Sequence, residues 1–287
     1  MAIQPSELIL NPDGSVYHLN LKPENIAHNI IFVGDQNRVP KVSKHFDSIR
    51  FKTEKREFVT HTGSYKGKEI TVISTGIGPD NIDIVMNELD ALVNIDLETR
   101  LPKENLTSLN IVRVGTSGAL HQDVPVDAFV LSSFGLDING MLHSYKTESI
   151  QHPDIEDAFI KHTRWDENKA RPLIVKNSSL LENKFESALT HKGLTITAGG
   201  FYGPQGRVLR LKLRDPELIN KIASFSFKGI HSTNFEMETS AIYGLSQLLG
   251  HHALSLNAII ANRASGTFSA DPGQTIENLI TYTLDRF

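Results

Sequence analysis

Short apolar runs that end in glycine recur along the first half of the chain. They are "HNIIFVGD" at 28–35, "KEITVISTGIG" at 68–78 and "LNIVRVGTSG" at 109–118. Runs of this length bounded by glycine are typical of strands that are buried on both faces. Similar runs predict further strands at 127–133, 193–201 and 252–263. We therefore expect a mostly parallel or mixed sheet that is covered on both sides.

Segments whose apolar residues have helical spacing alternate with these predicted strands. In "NIDIVMNELDALVN" one helical face carries the apolar residues Ile82, Val85, Met86, Leu89, Leu92 and Val93. The pattern predicts further helices at 179–191, at 237–249 with Gly250 as a stop, and at 275–287. The polar stretch 96–108 breaks the periodicity and is interpreted as a surface insertion. This alternation predicts an α/β fold, in which ligands bind beyond the carboxyl ends of the strands.

Composition excludes several classes of function. Apolar residues make up 39% and charged residues 22%, which is ordinary for a globular protein, and the net charge of −4 comes without a dense basic cluster. We therefore expect neither a nucleic-acid nor a membrane partner. The chain has no cysteine, and its twelve histidines form no HExxH motif, so we infer no metal site. The start lacks a signal-peptide pattern and no apolar run approaches the ~18 residues of a membrane span, which predicts a cytoplasmic protein.

Two arginines lie next to predicted strands. Arg113 falls inside the apolar run "LNIVRVG", where a charge costs several kcal/mol unless a partner neutralises it. The partner is either a bound anion, for which the amides of the following "GTSG" would form a nest, or an internal carboxylate. Arg38 follows the strand-ending Gly34 and is either an anion ligand or a solvated helix residue.

The loop "GGFYGPQGR" at 199–207 combines rings, glycines, an amide and a guanidinium. Gln205 can donate and accept hydrogen bonds, whereas Arg207 only donates. Together they could recognise a planar ring with an acceptor, donor and acceptor along one edge, such as the 2,4-dioxo edge of uracil. Phe201 and Tyr202 would either stack on such a ring or belong to the core.

Two carboxylates flank a methionine in "NFEMETSAIYGL" at 234–245. Glu236 and Glu238 precede a predicted helix, and acidic residues in a first turn are stabilised by the helix dipole without any functional role. Taken alone, this segment therefore leaves a structural and a functional interpretation open.

Five segments together resemble the nucleoside phosphorylase-I family. "GDQNR", "STGIG", "IVRVGTSGAL", "FYGPQGR" and "NFEMETSAIY" match its motifs in order and spacing, and FYxxQxR is similar to the uridine phosphorylase branch. The resemblance spans about residues 16 to 265. It implies one domain over 1–287, with 1–15 as an N-terminal extension, folded as three α/β/α layers around a mixed, partly barrel-like sheet. It also implies homo-oligomers, either dimers or trimers of dimers, whose active sites share residues across an interface.

The implied reaction is the reversible phosphorolysis of uridine to uracil and ribose 1-phosphate, with inorganic phosphate as co-substrate. The resemblance assigns phosphate binding to Gly34, Arg38, Arg113 and Thr116, with Arg56 from a neighbouring subunit. It assigns ribose binding to Glu236, Met237 and Glu238, with His18 from the neighbouring subunit. It assigns base binding to Phe201, Gln205 and Arg207. Of these, Arg207, Gln205 and Arg113 would stabilise the transition state, and the substrate anion would neutralise Arg113.

Departures from the family pattern limit which substrates and which bound ions we expect. Gln36 replaces the proline of the phosphate loop, and Asn81 replaces a residue associated with a monovalent cation near Glu57, which argues against that cation. Purine-specific relatives have an aspartate where this chain has "ANR", with Asn262 and Arg263, so we expect a pyrimidine substrate. The implied phosphorolysis requires no cofactor besides the co-substrate phosphate. The alternatives are a purine or broad-specificity phosphorylase, a hydrolytic nucleosidase, which would lack the arginine cluster, and a noncatalytic nucleoside-binding protein.

Overall fold

The computed structural model describes residues 2–287. Its strands are β1 Asn29–Val33, β2 Ser48–Lys55, β3 Phe58–Tyr65, β4 Lys68–Ser74, β5 Ile95–Asp96, β6 Leu101–Pro102, β7 Asn110–Ala119, β8 Phe129–Asp137, β9 Leu173–Lys176, β10 Thr190–Thr197, β11 Ser226–Phe227, β12 Ile230–Glu236, β13 His252–Asn262 and β14 Thr267–Phe268. Its α-helices are α1 Arg38–Ser43, α2 Pro79–Asn94, α3 Pro153–Thr163, α4 Ser179–Phe185, α5 Leu218–Ala223, α6 Thr239–Leu249 and α7 Pro272–Leu284. Short 3-10 helices cover Pro23–Asn25, Met141–Ser144 and Gly203–Gln205.

Twelve of the strands form one mixed sheet. The main path runs β11-β12-β10-β8-β13-β7-β1-β4-β3-β2, with β9 beside β8 and β14 beside β13. β7 also pairs antiparallel with β12, which closes β12, β10, β8, β13 and β7 into a five-stranded barrel. The parallel strands β4, β1, β7 and β13 therefore end at the same edge. The expected mixed, partly barrel-like sheet is confirmed.

Helices cover both faces of the sheet and explain the continuous apolar runs. On β1, Ile30 and Phe32 belong to a core shared with α2 and α6. The alternate residues Ile31 and Val33 belong to a second core with α1 and α7. A strand between two helical layers must be apolar at every position, because both of its faces are removed from water. The three-layer α/β/α architecture is thus confirmed.

The predicted strands are all present, with shifted ends, but the predicted helix 179–191 is wrong in its second half. α4 ends at Phe185, and β10 begins at Thr190, where it pairs in parallel with β8. Only Leu181 and Phe185 of the helix are buried, whereas Leu189 is 63% exposed, so the apolar spacing did not mark a longer helix. Tertiary pairing with β8 decides the conformation here.

Two surface elements complete the fold. The stretch 96–108 is largely exposed and contains part of the short β5–β6 hairpin. The longer β2–β3 hairpin was not predicted, because the exposed side of β2 interrupts any apolar run. Within residues 2–287, none of the helices combines the length and the apolar character needed to cross a bilayer.

Candidate active site

The carboxyl ends of the parallel strands open into a cavity of 930 Å³. Most of its lining residues come from the segments after β1 and β4, from β7, from the end of β12 and the two residues after it, from the loop 201–207, and from β13 and β14. Ten of the twelve predicted site residues line this cavity: Gly34, Arg38, Arg113, Thr116, Phe201, Gln205, Arg207, Glu236, Met237 and Glu238. The fold therefore brings the segments "GDQNR", "VGTSG", "FYGPQGR" and "FEME" to one place.

Arg113 is neutralised by the protein itself, which corrects the expectation that a substrate anion performs this role. Its NH2 group lies 2.5 Å from Glu238 Oε2 and 3.4 Å from Glu236 Oε2. Its NH1 group donates to Asn257 Oδ1 at 2.7 Å. Burial on its own would lower the pKa of Arg113, but the charges of Glu238 and Glu236 raise it above its ordinary value. The internal carboxylate partner, left open by the sequence, is therefore present, and phosphate would be an additional ligand.

Glu236 and Glu238 hold the start of helix α6 as well as Arg113. Glu236 Oε2 accepts hydrogen bonds from the backbone N–H groups of Glu238 and Thr239, both at 2.8 Å. Glu238 Oε1 accepts from the N–H of Gly78 at 2.8 Å. Burial raises the pKa of Glu236, Arg113 opposes this shift, and the charge of Glu238 adds to it. Neither carboxylate lies in the first turn of α6, since Glu236 ends β12 and Glu238 precedes the helix, and both lie close to Arg113.

Arg38 lies at the start of α1, beside the end of β7. Its NH1 group donates to the carbonyl of Val114 at 3.1 Å. Burial lowers the pKa of Arg38, and the nearby positive charge of Arg113 lowers it further. Two guanidinium groups that repel one another across the same cavity favour an anion between them.

The loop after β10 contributes Phe201, Gln205 and Arg207 to the wall of the same cavity. Gln205 is 2% exposed, and its Oε1 accepts a hydrogen bond from Arg207 NH1 at 2.6 Å. The Arg207 guanidinium lies 3.8 Å from the centre of the Phe201 ring, which is 51% exposed and so is not a core aromatic. Burial lowers the pKa of Arg207, and the positive charge of Arg263 adds to this effect. An amide, a guanidinium and an exposed ring are thus adjacent.

A model of the phosphorylase superfamily matches residues 29–281. The chain belongs to the phosphorylase superfamily. Uridine phosphorylase of Thermococcus kodakarensis is 29% identical over 89% of this chain and 80% of its own length. A Trypanosoma brucei nucleoside phosphorylase described as showing uridine phosphorylase activity superposes with a TM-score of 0.87 at 28% identity, covering 97% of this chain and 98% of that one. A DeoD-type purine nucleoside phosphorylase of Bacillus subtilis is 24% identical over 93% of this chain and 97% of its own length.

Two predicted residues of this phosphorylase-superfamily member do not line its own cavity. His18 Nδ1 lies 2.6 Å from Glu88 Oε1, and its backbone N–H also meets that carboxylate. Arg56 occupies the turn of the β2–β3 hairpin, and its guanidinium lies 5.8 Å from the ring of Tyr17. Tyr17 also meets the His18 ring, with ring centres 4.9 Å apart. Both residues that the resemblance places in a neighbouring site therefore lie on one patch of this chain.

Other residues in or next to this cavity were not predicted as site residues from the sequence. They include Ser117, Phe235, Ile260, Ala261 and Phe268 in the cavity wall. Asn257 lies behind Arg113, and Arg263 donates to the carbonyl of Gln205 at 2.7 Å. Asn257 carried a usable signal, since it is a polar residue inside the apolar run 252–263, as Arg113 is in its own strand. The apolar wall residues carried none, because apolar residues are common in strands whether or not they line a cavity.

Proposed function

We propose that this chain is a uridine phosphorylase that converts uridine and inorganic phosphate to uracil and ribose 1-phosphate. The observation that carries the proposal is the pair Gln205 and Arg207, which faces the same cavity as Arg38, Arg113 and Glu238. A nucleoside and a phosphate that bind side by side need hydrogen-bonding groups for the base, a carboxylate for the ribose hydroxyls and cationic groups for the phosphate. The uridine phosphorylase of T. kodakarensis and the T. brucei nucleoside phosphorylase described as showing uridine phosphorylase activity agree with this substrate.

Phosphate would bind between the strand ends. Arg38 and Arg113 would supply guanidinium donors. Gly34 would supply its backbone N–H, and Thr116, near the end of β7, would supply a hydroxyl. A phosphate oxygen would then form a bond to C1′ of the ribose while the bond from C1′ to N1 of the base breaks. The electron pair of that bond passes to the uracil ring, so the ring leaves as an anion and then takes up the proton that the hydrogenphosphate loses.

The loop 201–207 would stabilise the departing base. Arg207 would donate to O4, and Gln205 would contact O2 and N3, while Phe201 packs on the ring. These donors gain strength as negative charge develops on the oxygens, so they lower the barrier of the step. Bond cleavage therefore needs no covalent intermediate.

Glu238 and Met237 would hold the 2′- and 3′-hydroxyls of the ribose, with Glu236 close by. Both oxygens of Glu238 already accept hydrogen bonds, from Gly78 N–H and Arg113. An ionised carboxylate has about four acceptor sites, so it can accept from the ribose at the same time.

A purine substrate fits the base end less well. Asn262 stands where purine-specific relatives carry an acid, and its Nδ2 donates to the carbonyls of His121 and Val124 at 2.7 and 2.9 Å. Its Oδ1 accepts from the N–H groups of Ala264 and Ser265. With its amide engaged by the backbone in this way, it is not placed to donate to a base. This observation favours uridine over a purine or broad-specificity activity.

The active unit is proposed to be a homo-oligomer built from dimers, in the cytoplasm. His18 and Arg56 support it, because they lie together and outside the cavity of their own chain. In a dimer they would reach the 5′-hydroxyl and the phosphate of the neighbouring site. We propose no cofactor besides the co-substrate phosphate, because Asn81 near Glu57 replaces the residue associated with a cation.

The test is release of uracil from uridine, followed by absorbance, with and without inorganic phosphate and with inosine alongside. We expect cleavage of uridine that depends on phosphate, and little cleavage of inosine. Faster cleavage of inosine would contradict the base assignment and support a purine phosphorylase. Cleavage without phosphate would indicate a nucleosidase, and binding without turnover of either nucleoside would indicate a noncatalytic binding protein.

A further inference from the structure

Asn257 on β13 is a fully buried amide that faces the Arg113 guanidinium. A guanidinium has no acceptor, so the amide oxygen must be the atom that faces Arg113, and the amide nitrogen must point away. That nitrogen lies 3.4 Å from Ser132 Oγ and 3.3 Å from Ser255 Oγ. Hydrogen bonds to the amide oxygen and to the amide nitrogen thus fix the orientation of the Asn257 side chain.

The strand register explains how Arg113 reaches this amide. β7 and β13 are parallel, with Arg113 opposite Ser255 and Gly115 opposite Asn257. A Cβ atom at Gly115 would overlap the Arg113 guanidinium. Because position 115 is a glycine, the arginine can extend along its own strand and end beside Asn257.

Asn257 is itself held by a chain of buried polar groups inside the barrel. Ser132 Oγ lies 2.5 Å from Thr195 Oγ1, which donates to Asn234 Oδ1 at 2.8 Å. Asn234 Nδ2 then donates to Ser117 Oγ at 2.8 Å, and Ser117 lines the cavity. Each of the five barrel strands contributes one of these groups or Arg113 itself. Asn257 therefore belongs to a network that is anchored on every strand of the barrel.

The charge of the site explains why an amide suits this position. Arg38 and Arg113 carry two positive charges, and Glu236 and Glu238 carry two negative charges when ionised. A further carboxylate behind Arg113 would add negative charge close to the proposed phosphate position and repel a phosphate dianion. An asparagine supplies a hydrogen-bond acceptor without that charge.

We propose that Asn257 is a positioning residue for phosphate: it fixes one edge of the Arg113 guanidinium, so that its remaining N–H groups face the cavity, without adding charge. The other edge is held by Glu238 at 2.5 Å. Without Asn257, Arg113 would be tied only to carboxylates and would turn toward them. This inference rests on the proposed phosphorolysis.

The experiment compares Asn257→Ala and Asn257→Asp with wild type and with Asn177→Ala. Asn177 is a matched control, because it is a buried amide that contacts the Ser132 carbonyl and has no hydrogen bond to Arg113. Phosphate KM, uridine KM and kcat are measured, together with the rise in thermal unfolding temperature that inorganic phosphate produces. The unfolding measurement does not depend on turnover.

We expect Asn257→Ala to raise the phosphate KM ~10-fold, as for loss of one hydrogen bond to a charged group. Asn257→Asp, which has the same size, is expected to raise it ~100-fold through its added charge. Uridine KM and kcat at saturating phosphate should change little, and the phosphate-induced rise in unfolding temperature should shrink in the same order. Asn177→Ala should lower stability without changing the phosphate KM.

Equal phosphate KM values in wild type, Asn257→Ala and Asn257→Asp would overturn the inference. So would a parallel loss in Asn177→Ala, which would indicate general destabilisation. If wild type does not cleave uridine, the proposed function fails, and the unfolding measurement still decides the role of Asn257. A wild-type protein that phosphate does not stabilise would overturn both.

Discussion

The groups proposed to bind phosphate, Arg38 and Arg113, and the groups proposed to bind the base, Gln205 and Arg207, form what we call the phosphate end and the base end of the cavity. The two ends differ in what holds their charged side chains. At the phosphate end, Arg113 is 6% exposed and is fixed by Glu238 and Asn257, which belong to other elements. At the base end, Arg207 bonds to Gln205 Oε1 and to the carbonyl of Phe201, both in its own loop. One arginine is therefore held by the whole barrel, and the other by seven residues of chain, 201–207.

This difference indicates how each end would meet its ligand. The N–H groups of Arg113 are oriented before phosphate arrives, so little reorganisation is needed on binding. At the base end, Gln205 Oε1 accepts a hydrogen bond from Arg207 at 2.6 Å, and both groups would have to exchange this bond for the proposed contacts to the base. Phosphate binding should thus depend on distant barrel residues, and base binding on the loop and on Arg263, which donates to the carbonyl of Gln205.

The largest expected effect comes from disturbing the phosphate end through Gly115. Gly115→Ala places a methyl group where the Arg113 guanidinium lies, so the arginine must leave its position. We expect kcat/KM for phosphate to fall ~1000-fold, as for loss of a preorganised donor. The free energy of unfolding should fall by ~1–3 kcal/mol, which is the usual cost of overpacking. Phosphorolysis kinetics and urea unfolding measure the two effects.

A double-mutant cycle tests whether Arg113 is the cause. In an Arg113→Ala background no guanidinium lies over position 115, so Gly115→Ala should be neutral or stabilising there, as replacement of a strand glycine usually is. If Gly115→Ala destabilises both backgrounds equally, the clash involves some other group and the account of the strand register is wrong.

The base end should respond more weakly and more selectively. Arg207→Met removes the donor assigned to uracil O4, and we expect uridine turnover to fall ~100-fold, with a smaller fall for any inosine turnover. Thermal stability should change little, because Arg207 bonds only within its loop. Arg210→Met is the control, since Arg210 is an exposed arginine three positions further along the same segment. Equal loss for both nucleosides would contradict the base assignment.

The burial of the strands explains which parts of the fold the sequence could predict. β1, β4 and β7 are buried on both faces, so their apolar runs and terminal glycines were sufficient to find them. The β2–β3 hairpin lies at the edge of the sheet with one exposed side, and it leaves no such run. The end of α4 depends on where β10 pairs with β8, which local spacing does not encode.

For the site, motifs located the residues but not their partners. The five segments placed ten predicted residues in one cavity. They did not indicate that Glu236 and Glu238 neutralise Arg113, because that contact joins positions more than a hundred residues apart. Asn257 stands out in the sequence as a polar residue in an apolar run, but its contact with Arg113 depends on the register between β7 and β13, which the sequence does not give.

Glu238 lies between the two ends and gives the smallest expected effect, a change in selectivity. Glu238→Gln keeps the size of the side chain but removes the charged acceptor assigned to the 2′-hydroxyl. A hydrogen bond to a charged group favours the ribonucleoside by ~10-fold or more, so the ratio of kcat/KM for uridine over 2′-deoxyuridine should fall by about that factor. Absolute rates should fall for both substrates, because Arg113 also loses its nearest carboxylate.

Glu236→Gln provides the matched control for this ratio. Glu236 is equally buried, but its oxygens accept from Glu238 N–H, Thr239 N–H and the Thr197 hydroxyl. Its loss should therefore slow both nucleosides alike. If the ratio falls in Glu236→Gln and not in Glu238→Gln, the ribose contact belongs to Glu236, and Glu238 serves only to hold Arg113. Glu238 would then belong, with Arg113, to the residues of the phosphate end.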